Sequence, residues 1–284
     1  MATTTDVTTP SAIPFDLSTR LLSWLRQSAR FLIPADCIAC GVALGSDPIP
    51  FFCRTCWSTI TPLSRPSCAR CDHPFASDAA TSHTPGHLCH HCLERLPAFE
   101  RAWTPYPYIP PLQEAICAFK YRRKVGLARP LARLMIQALP SSLAADLLMP
   151  VPLHPSRLRA REFNQSLLLA DQVGRHLGLP VAANTLVRLF ATDPQTTLSR
   201  PERLRNLRQA FAVRTQDAIA GRRILLIDDV YTTGTTLNEC AKVLIKSGAK
   251  TVLALTLART VETSLIPDRV ATAQAERALA PMGF

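Results

Sequence analysis

Two groups of residues in this 284-residue chain could do chemistry. The first is the run Ile224-Leu-Leu-Ile-Asp228-Asp229-Val-Tyr-Thr232-Thr233-Gly234-Thr235-Thr236, which leads into LNECAKVLIKSG. An apolar strand ends in two carboxylates, a turn of small residues follows, and an amphipathic helix begins. Hydroxyls and closely spaced backbone N–H groups across Thr232, Thr233, Gly234, Thr235 and Thr236 make a cradle for one phosphate at a helix N-terminus. Gly234 leaves that turn free to adopt a dihedral closed to other residues. Asp228 and Asp229 cannot serve the same phosphate; just ahead of the turn they suit ligand hydroxyls or a bound Mg2+. Each part alone is common, as a solvated strand end or an ordinary helix cap. The order of all four is what points to a ligand. Neither GxxxxGK[ST] nor GxGxxG occurs, which excludes a P-loop NTPase and a dinucleotide Rossmann site.

The second group is cysteine. Eight of the ten cysteines form four CxxC pairs: Cys37 and Cys40, Cys53 and Cys56, Cys68 and Cys71, Cys89 and Cys92. Two thiolates at this spacing turn onto one ion, and two such pairs close a tetrahedral site. Eight sulfurs imply two structural Zn2+ ions, with no open coordination position for catalysis. Pairing of consecutive knuckles (Cys37, Cys40, Cys53, Cys56, then Cys68, Cys71, Cys89, Cys92) closes shorter loops than a cross-braced arrangement, and the sequence leaves both open. The spacing favours zinc over an iron–sulfur cluster. His73, His83, His87, His90 and His91 sit among the cysteines as outer-shell or exposed residues. Cys117 and Cys240 fall in helical patterns and read as small buried residues.

Charge is uneven. The net of +11 is concentrated in residues 101–214, where 17 Lys/Arg face 6 Asp/Glu, while residues 1–100 hold 7 against 8. A field of this kind attracts a polyanion, either nucleic acid or a phosphorylated small molecule. No stretch reaches about 18 apolar residues, so no transmembrane segment is expected. The N-terminus lacks the basic and apolar regions of a signal peptide, so the chain is expected to be cytoplasmic, where thiols go to metal rather than to disulfides.

The elements that would position these groups follow from periodicity. Residues 1–15 read as a disordered leader. Residues 16–96 read as an amphipathic helix from Asp16, ended by Pro34, and then a metal-held double ribbon with little core of its own. From residue 97 to 260 strands and helices alternate: an edge strand over 102–108, helices to about 119 and over 126–138, a buried strand over 147–153 and a helix over 165–177. A polar, basic stretch at 189–207 precedes the strand at 222–228, the helix at 237–246 and a last strand at 251–258. Residues 261–284 are an Ala-rich tail. The expected fold class is α/β, an N-terminal zinc-ribbon module followed by a mainly parallel sheet.

LLIDDVYTTGTT resembles the phosphoribosyl pyrophosphate (PRPP) motif of type I phosphoribosyltransferases. With FKYRRK at 119–124, MPVPLHPSRLRAREFNQS at 149–166, PQTTLSRPERLRNLRQAF at 194–211 and the CxxC ribbons, the chain closely resembles the ComF family of competence and GntX-like proteins. The resemblance implies that Asp228 and Asp229 hold the ribose hydroxyls and that Thr232 through Thr236 bind the 5′-phosphate. It implies that the loop bearing His154, Arg157, Arg159 and Arg161 receives pyrophosphate with Mg2+, and that the basic stretch 188–208 closes as a lid. The family usually carries RGFNQ where this chain has Arg161-Glu162-Phe163-Asn164-Gln165. A glutamate there is costly at a glycine dihedral and adds negative charge beside the pyrophosphate, which counts against turnover more than folding. The implied partners are PRPP, single-stranded DNA during natural transformation, and proteins of the competence machinery. Two functions stay open: a phosphoribosyltransferase whose acceptor the sequence does not name, or a non-catalytic single-stranded DNA-handling or PRPP-sensing factor.

Overall fold

The computed structural model describes residues 36–63, 66–76, 86–189, 210–262 and 265. The expected leader, the helix from Asp16, His83, all of the expected lid beyond Leu189, and nearly all of the tail lie outside the described residues. Two one-turn helices, α1 (Arg54–Ser58) and α2 (His90–Glu94), belong to the cysteine-rich region. Then come β1 (Arg101–Trp103), β2 (Tyr106–Pro107), α3 (Leu112–Tyr121), a 3-10 turn (Val125–Leu127) and α4 (Ala128–Gln137). They are followed by β3 (Leu147–Pro150), α5 (Pro155–Arg161), α6 (Gln165–Leu177) and a small antiparallel pair, β4 (Leu186–Arg188) with β5 (Phe211–Val213). The last elements are β6 (Arg223–Tyr231), α7 (Thr235–Lys246) and β7 (Thr251–Arg259).

The main sheet runs β1-β7-β6-β3, with β2 pairing further along β7, and every pair is parallel. Ile224 through Ile227 are fully buried, as a strand covered on both faces must be. Alternation divides that run: Leu225 and Ile227 join the core beneath α3, α4 and α6, while Ile224 and Leu226 join the core beneath α7. Doubly covered parallel sheets present their ligand-facing loops at the carboxyl ends of the strands, and here those ends carry the acids and the threonine turn. Asp146 fixes the opposite end of β6, accepting from the Arg223 backbone N–H at 2.7 Å and from its Nη2 at 2.7 Å.

Several boundaries depart from expectation for local reasons. The edge strand splits into β1 and β2 around Pro105, which has no N–H to donate. The strand expected to 153 ends at Pro150, just ahead of Pro152. β6 runs past Asp228 to Tyr231 because β7 continues beside it, pairing Val230 with Ala258 and Tyr231 with Arg259. The largest departure concerns the ribbons. They were expected to rest on metal alone, yet Cys37, Phe52, Cys53 and Cys56 belong to the core on the α4 face, and Cys68, Cys71, Cys89 and Cys92 to the core on the α7 face. The ribbon segments also cover the open edge of the sheet. Ala102 N–H donates to the Arg70 carbonyl (2.9 Å), Leu63 N–H to the Pro105 carbonyl (2.7 Å), and Thr104 N–H to Asp72 Oδ2 (2.7 Å). An edge strand that would otherwise present free donors is thereby satisfied. Among the described residues no helix is long and apolar enough to cross a membrane.

Helix α6 forms over the expected residues. The Asn164 side chain caps its start, accepting from Ser166 N–H at 3.0 Å, and Gly178 ends it in the left-handed conformation. It packs closely enough that a Cβ on Gly174 would stand 2.8 Å from Val181 Cγ2 and 3.0 Å from the Leu179 carbonyl oxygen. Gly174→Ala is therefore expected to destabilise by about 1–3 kcal/mol through overpacking, despite alanine's better helix propensity. Urea unfolding of the purified variant measures this; an unchanged or raised midpoint would show that the α6 contact is looser than described.

Candidate functional site

At the carboxyl end of β6, Asp229 is buried and Asp228 partly so. Lys120, from the last turn of α3, reaches Asp229 Oδ1 at 2.7 Å in a largely enclosed ion pair. Asp228 Oδ1 accepts from Ser166 Oγ and from the Asp229 backbone N–H, both at 2.9 Å. Burial, and then the neighbouring Asp229 carboxylate, push the Asp228 carboxyl up to about 7, against the pull of Lys120 and these two donors. Two acids side by side are thus held in different environments, one paired to a cation and one still able to take up a proton.

The turn beyond the acids is ordered by its own residues. Thr233 Oγ1 lies 2.8 Å from Thr235 Oγ1 and accepts from Thr235 N–H at 3.4 Å. Gly234 takes φ 72°, its carbonyl receives the Asn238 N–H at 2.9 Å, and α7 begins. A side chain at Gly234 would be strained by that dihedral and would overlap the Tyr231 phenol, whose ring packs against the turn. Thr232 and Thr233 are exposed, and Thr235 and Thr236 half-buried at the first turn of α7. The first turn of a helix leaves N–H groups directed outward with the positive end of its dipole.

The residues expected in a pyrophosphate loop lie instead on helix α5. Pro155 at its first turn and the His154 side chain, which accepts from Ser156 N–H at 3.2 Å, start that helix. None of its residues is buried. Arg157 and Arg159 are exposed, whereas Arg161 donates to Gln165 Oε1 (3.1 Å) and Tyr121 Oη (3.3 Å) and stacks 4.9 Å from the Tyr121 ring centroid. Glu162 ends α5 with φ 68°, so the position does demand the left-handed conformation that glycine adopts most cheaply. Its charge is met by Arg123 Nη2 at 2.7 Å, an exposed pair that offsets the negative charge locally. Arg188, at the edge of the expected lid, ends β4 with its guanidinium 5.5 Å from the Phe211 ring centroid. A cleft of about 1000 Å3 opens between the second ribbon and the turn, with His73, Cys92 and Arg95 on one wall and Tyr231, Thr233 and Asn238 on the other.

The eight knuckle cysteines gather consecutively, Cys37, Cys40, Cys53 and Cys56 in one group and Cys68, Cys71, Cys89 and Cys92 in the other, each with all sulfurs within 4.8 Å. Sulfur pairs at 3.8 Å (Cys40–Cys53) and 3.5 Å (Cys71–Cys89) match the edge of a tetrahedron with Zn–S of about 2.3 Å, which is ~3.8 Å. Backbone N–H groups point at sulfur as well, Cys56 N to Cys53 Sγ at 3.4 Å and Cys89 N to Cys68 Sγ at 3.3 Å. Donors aimed at sulfur stabilise thiolates, so both groups fit structural zinc. Lys120, Ser166 and Tyr231 had no assigned role in the sequence. Lys120 lies in FKYRRK and Ser166 ends REFNQS, but spacing along the chain carries no signal that either reaches the acids.

Comparison with known proteins agrees with this arrangement. The family model for a double zinc ribbon domain matches residues 28–93, and that for a phosphoribosyl transferase domain matches residues 164–276. "DNA utilization protein YhgH" of Escherichia coli (strain K12) is 35% identical over 237 residues, 81% of this chain and 99% of the relative. "Competence protein F" of Haemophilus influenzae is 32% identical over 222 residues, 74% of this chain and 97% of the relative. "Competence protein ComFC" of Bacillus subtilis is 37% identical over 113 residues, 39% of this chain and 44% of the relative. The chain belongs to the ComF family, in which a double zinc ribbon precedes a domain of the type I phosphoribosyltransferase fold.

Elemental analysis of protein purified without chelator is expected to return two zinc ions per chain. Cys53→Ser, which leaves one buried site with three thiolates, should lower the melting temperature by more than about 5 °C, whereas Cys240→Ser should cost less than half of that. One zinc per chain, or iron in its place, would contradict the two-site arrangement.

Proposed function

We propose that this protein binds PRPP at the carboxyl end of β6 and acts as a phosphoribosyltransferase-like factor in the handling of DNA taken up by the cell. The observation that carries the reading is the juxtaposition at one strand end of Asp228, Asp229 and a left-handed Gly234 that opens α7. In this reading the N–H groups and hydroxyls of Thr232 to Thr236 receive the 5′-phosphate, and Asp228 and Asp229 take the ribose 2′- and 3′-hydroxyls. Arg157 and Arg161 of α5 take the pyrophosphate. Mg2+ bound with PRPP would supply positive charge between the pyrophosphate and the ribose hydroxyls.

Transfer would break the bond from ribose C1 to pyrophosphate and form one from C1 to an acceptor, with positive charge growing on the ring in between. Asp228 and Asp229 lie on the side where that charge is stabilised, and the arginines on the side where the leaving group gains negative charge. Lys120 holds Asp229 in place before the ligand arrives. A cytoplasmic setting belongs to this proposal, since two sites of four thiolates persist best where thiols stay reduced.

A second reading is favoured by the names of the relatives, for DNA utilization and for competence, and by the basic middle of the chain. In it the protein engages single-stranded DNA, with proteins of the competence machinery as further partners, and the PRPP site senses or regulates rather than turns over.

PRPP with Mg2+ is expected to raise the melting temperature in proportion to its saturation. The double variant Asp228→Asn, Asp229→Asn should lose that shift without unfolding; an equal shift would mean that the ligand binds elsewhere. The response should also depend on pH. Because the folded protein holds the Asp228 proton up to about 7 while the unfolded chain releases it near 4, this group disfavours the ligand-free fold increasingly as pH rises through that window. Ligand hydroxyls need the carboxylate, so PRPP affinity should climb from pH 6 to about 8 and climb less in Asp228→Asn. Identical pH profiles for the two proteins would contradict the assignment of Asp228.

A further inference from the structure

We infer that the face formed by the end of α3, helix α5 and the tip of the first zinc ribbon is a stacking platform for single-stranded nucleic acid, with Tyr121 as its central ring. The inference rests on the second functional reading above and assigns it a surface.

The two segments that meet there carry six cations, Arg122, Arg123 and Lys124 after α3 and Arg157, Arg159 and Arg161 on α5, and are joined by the Arg161–Tyr121 and Arg123–Glu162 contacts. The carboxylate next to Arg161, Glu162, is taken up by Arg123. One PRPP offers a single pyrophosphate to this side of the site, which leaves most of these charges without use in the PRPP reading. Lys120 of the same segment points inward to Asp229, so the face borders the candidate PRPP site and is not a remote patch.

Charge alone would suit any polyanion. Two rings make the choice narrower. Tyr121 is 67% exposed, and Arg161 is held against it by both the 4.9 Å stack and a hydrogen bond to its hydroxyl. That contact fixes the ring while so large an exposure leaves ring surface open for a base. Three residues along, Lys124 Nζ stands 4.5 Å from the ring centroid of Phe51, which the first ribbon contributes. Phe51 has φ 67°, a left-handed conformation that is uncommon for a bulky residue. Each module thus brings one ring with a cation beside it, Tyr121 exposed and Phe51 half-buried where the ribbon packs against the core. Phe119 and Phe163 take no part: Phe119 is fully buried and stacks on Phe163 with centroids 5.7 Å apart. Rings flanked by cations along a basic track are what a flexible strand of bases and phosphates requires, and stacking tolerates any base. A duplex, whose bases are already stacked on one another, gains nothing from them.

The test is fluorescence anisotropy with full-length zinc-loaded protein and three labelled probes: an oligo-dT of about 15 nucleotides, an abasic strand with the same phosphates, and a duplex. The wild type should bind oligo-dT about tenfold more tightly than the abasic strand. Tyr121→Ala should lose that margin on oligo-dT and lose nothing further on the abasic strand, while Tyr121→Phe should restore it. Replacing Arg122 and Lys124 together by Gln should flatten the dependence of log K on log salt by about 0.7 for each phosphate contact removed. Equal melting temperatures across the variants would exclude misfolding as the cause. If Tyr121→Ala binds oligo-dT as the wild type does, or the abasic strand binds as tightly as oligo-dT, the platform is wrong while the DNA-handling reading stands. If the wild type binds no strand at low salt, that reading falls and the platform with it; the PRPP-dependent melting shift is measured without DNA and is unaffected by either result.

Discussion

A single buried guanidinium joins the parts of this protein that bear chemistry. Arg259, 3% exposed at the end of β7, donates from Nη1 to the Cys71 carbonyl at 2.9 Å and to Thr104 Oγ1 at 3.2 Å, and its Nη2 lies 3.2 Å from His73 Nδ1. Its Cζ stands 5.0 Å from the Tyr231 ring centroid, and Tyr231 in turn fills the space under Gly234. The second ribbon, the edge strand, the last strand and the threonine turn are therefore linked through one residue. A buried cation needs hydrogen bonds and a counter-charge. The hydrogen bonds described go to a carbonyl, a hydroxyl and an imidazole, none of them a carboxylate. Four thiolates on Zn2+ carry a formal charge of about −2, and the second cysteine site stands beside Arg259 to supply it. The second cysteine site and the threonine turn are thereby joined through two side chains, Arg259 and Tyr231.

The same logic explains why the ribbons belong to the sheet rather than trailing before it. Seven of the eight knuckle cysteines are buried, and they are divided between the two cores on opposite faces of the sheet. A parallel sheet must be covered on both faces and its open edge must be satisfied. Here the metal-held loops do part of each task, which is how a region with few aliphatic residues of its own becomes integral to a packed fold.

What could be read from the sequence was what is local in period or spacing. The aliphatic run before Asp228, the small-residue turn and the CxxC pairs each declare themselves within a dozen residues. What could not be read was either non-local or unmarked by hydrophobicity. Helix α5 has no buried residue, so RLRAR offers no apolar period and looks like a loop; only His154 and Pro155 mark its start. Lys120 and Asp229 are more than a hundred positions apart, and nothing in either segment names the other. The consecutive pairing of the knuckles was favoured by loop closure but was decided by which sulfurs the docked ribbons bring together. Glu162 shows both sides of the matter. Its unfavourable dihedral follows from residue type, while its neutralisation by Arg123 depends on where the end of α3 lies.

The acids and the turn stand at the carboxyl end of β6, α5 with its cations follows the carboxyl end of β3, and the nucleic-acid face proposed above begins at Tyr121, next to Lys120. That arrangement would let one protein answer to a small phosphorylated ligand and to a strand on adjoining surfaces. The most direct measurement is a crystal structure of the zinc-loaded protein with PRPP and Mg2+. The 5′-phosphate is predicted to lie against the backbone N–H groups of the turn from Thr232 to Thr236, with the ribose hydroxyls on Asp228 and Asp229 and the pyrophosphate toward Arg157 and Arg161. Ligand density confined to the cleft beside the second ribbon, or to the arginines of α5 with the turn unused, would contradict it.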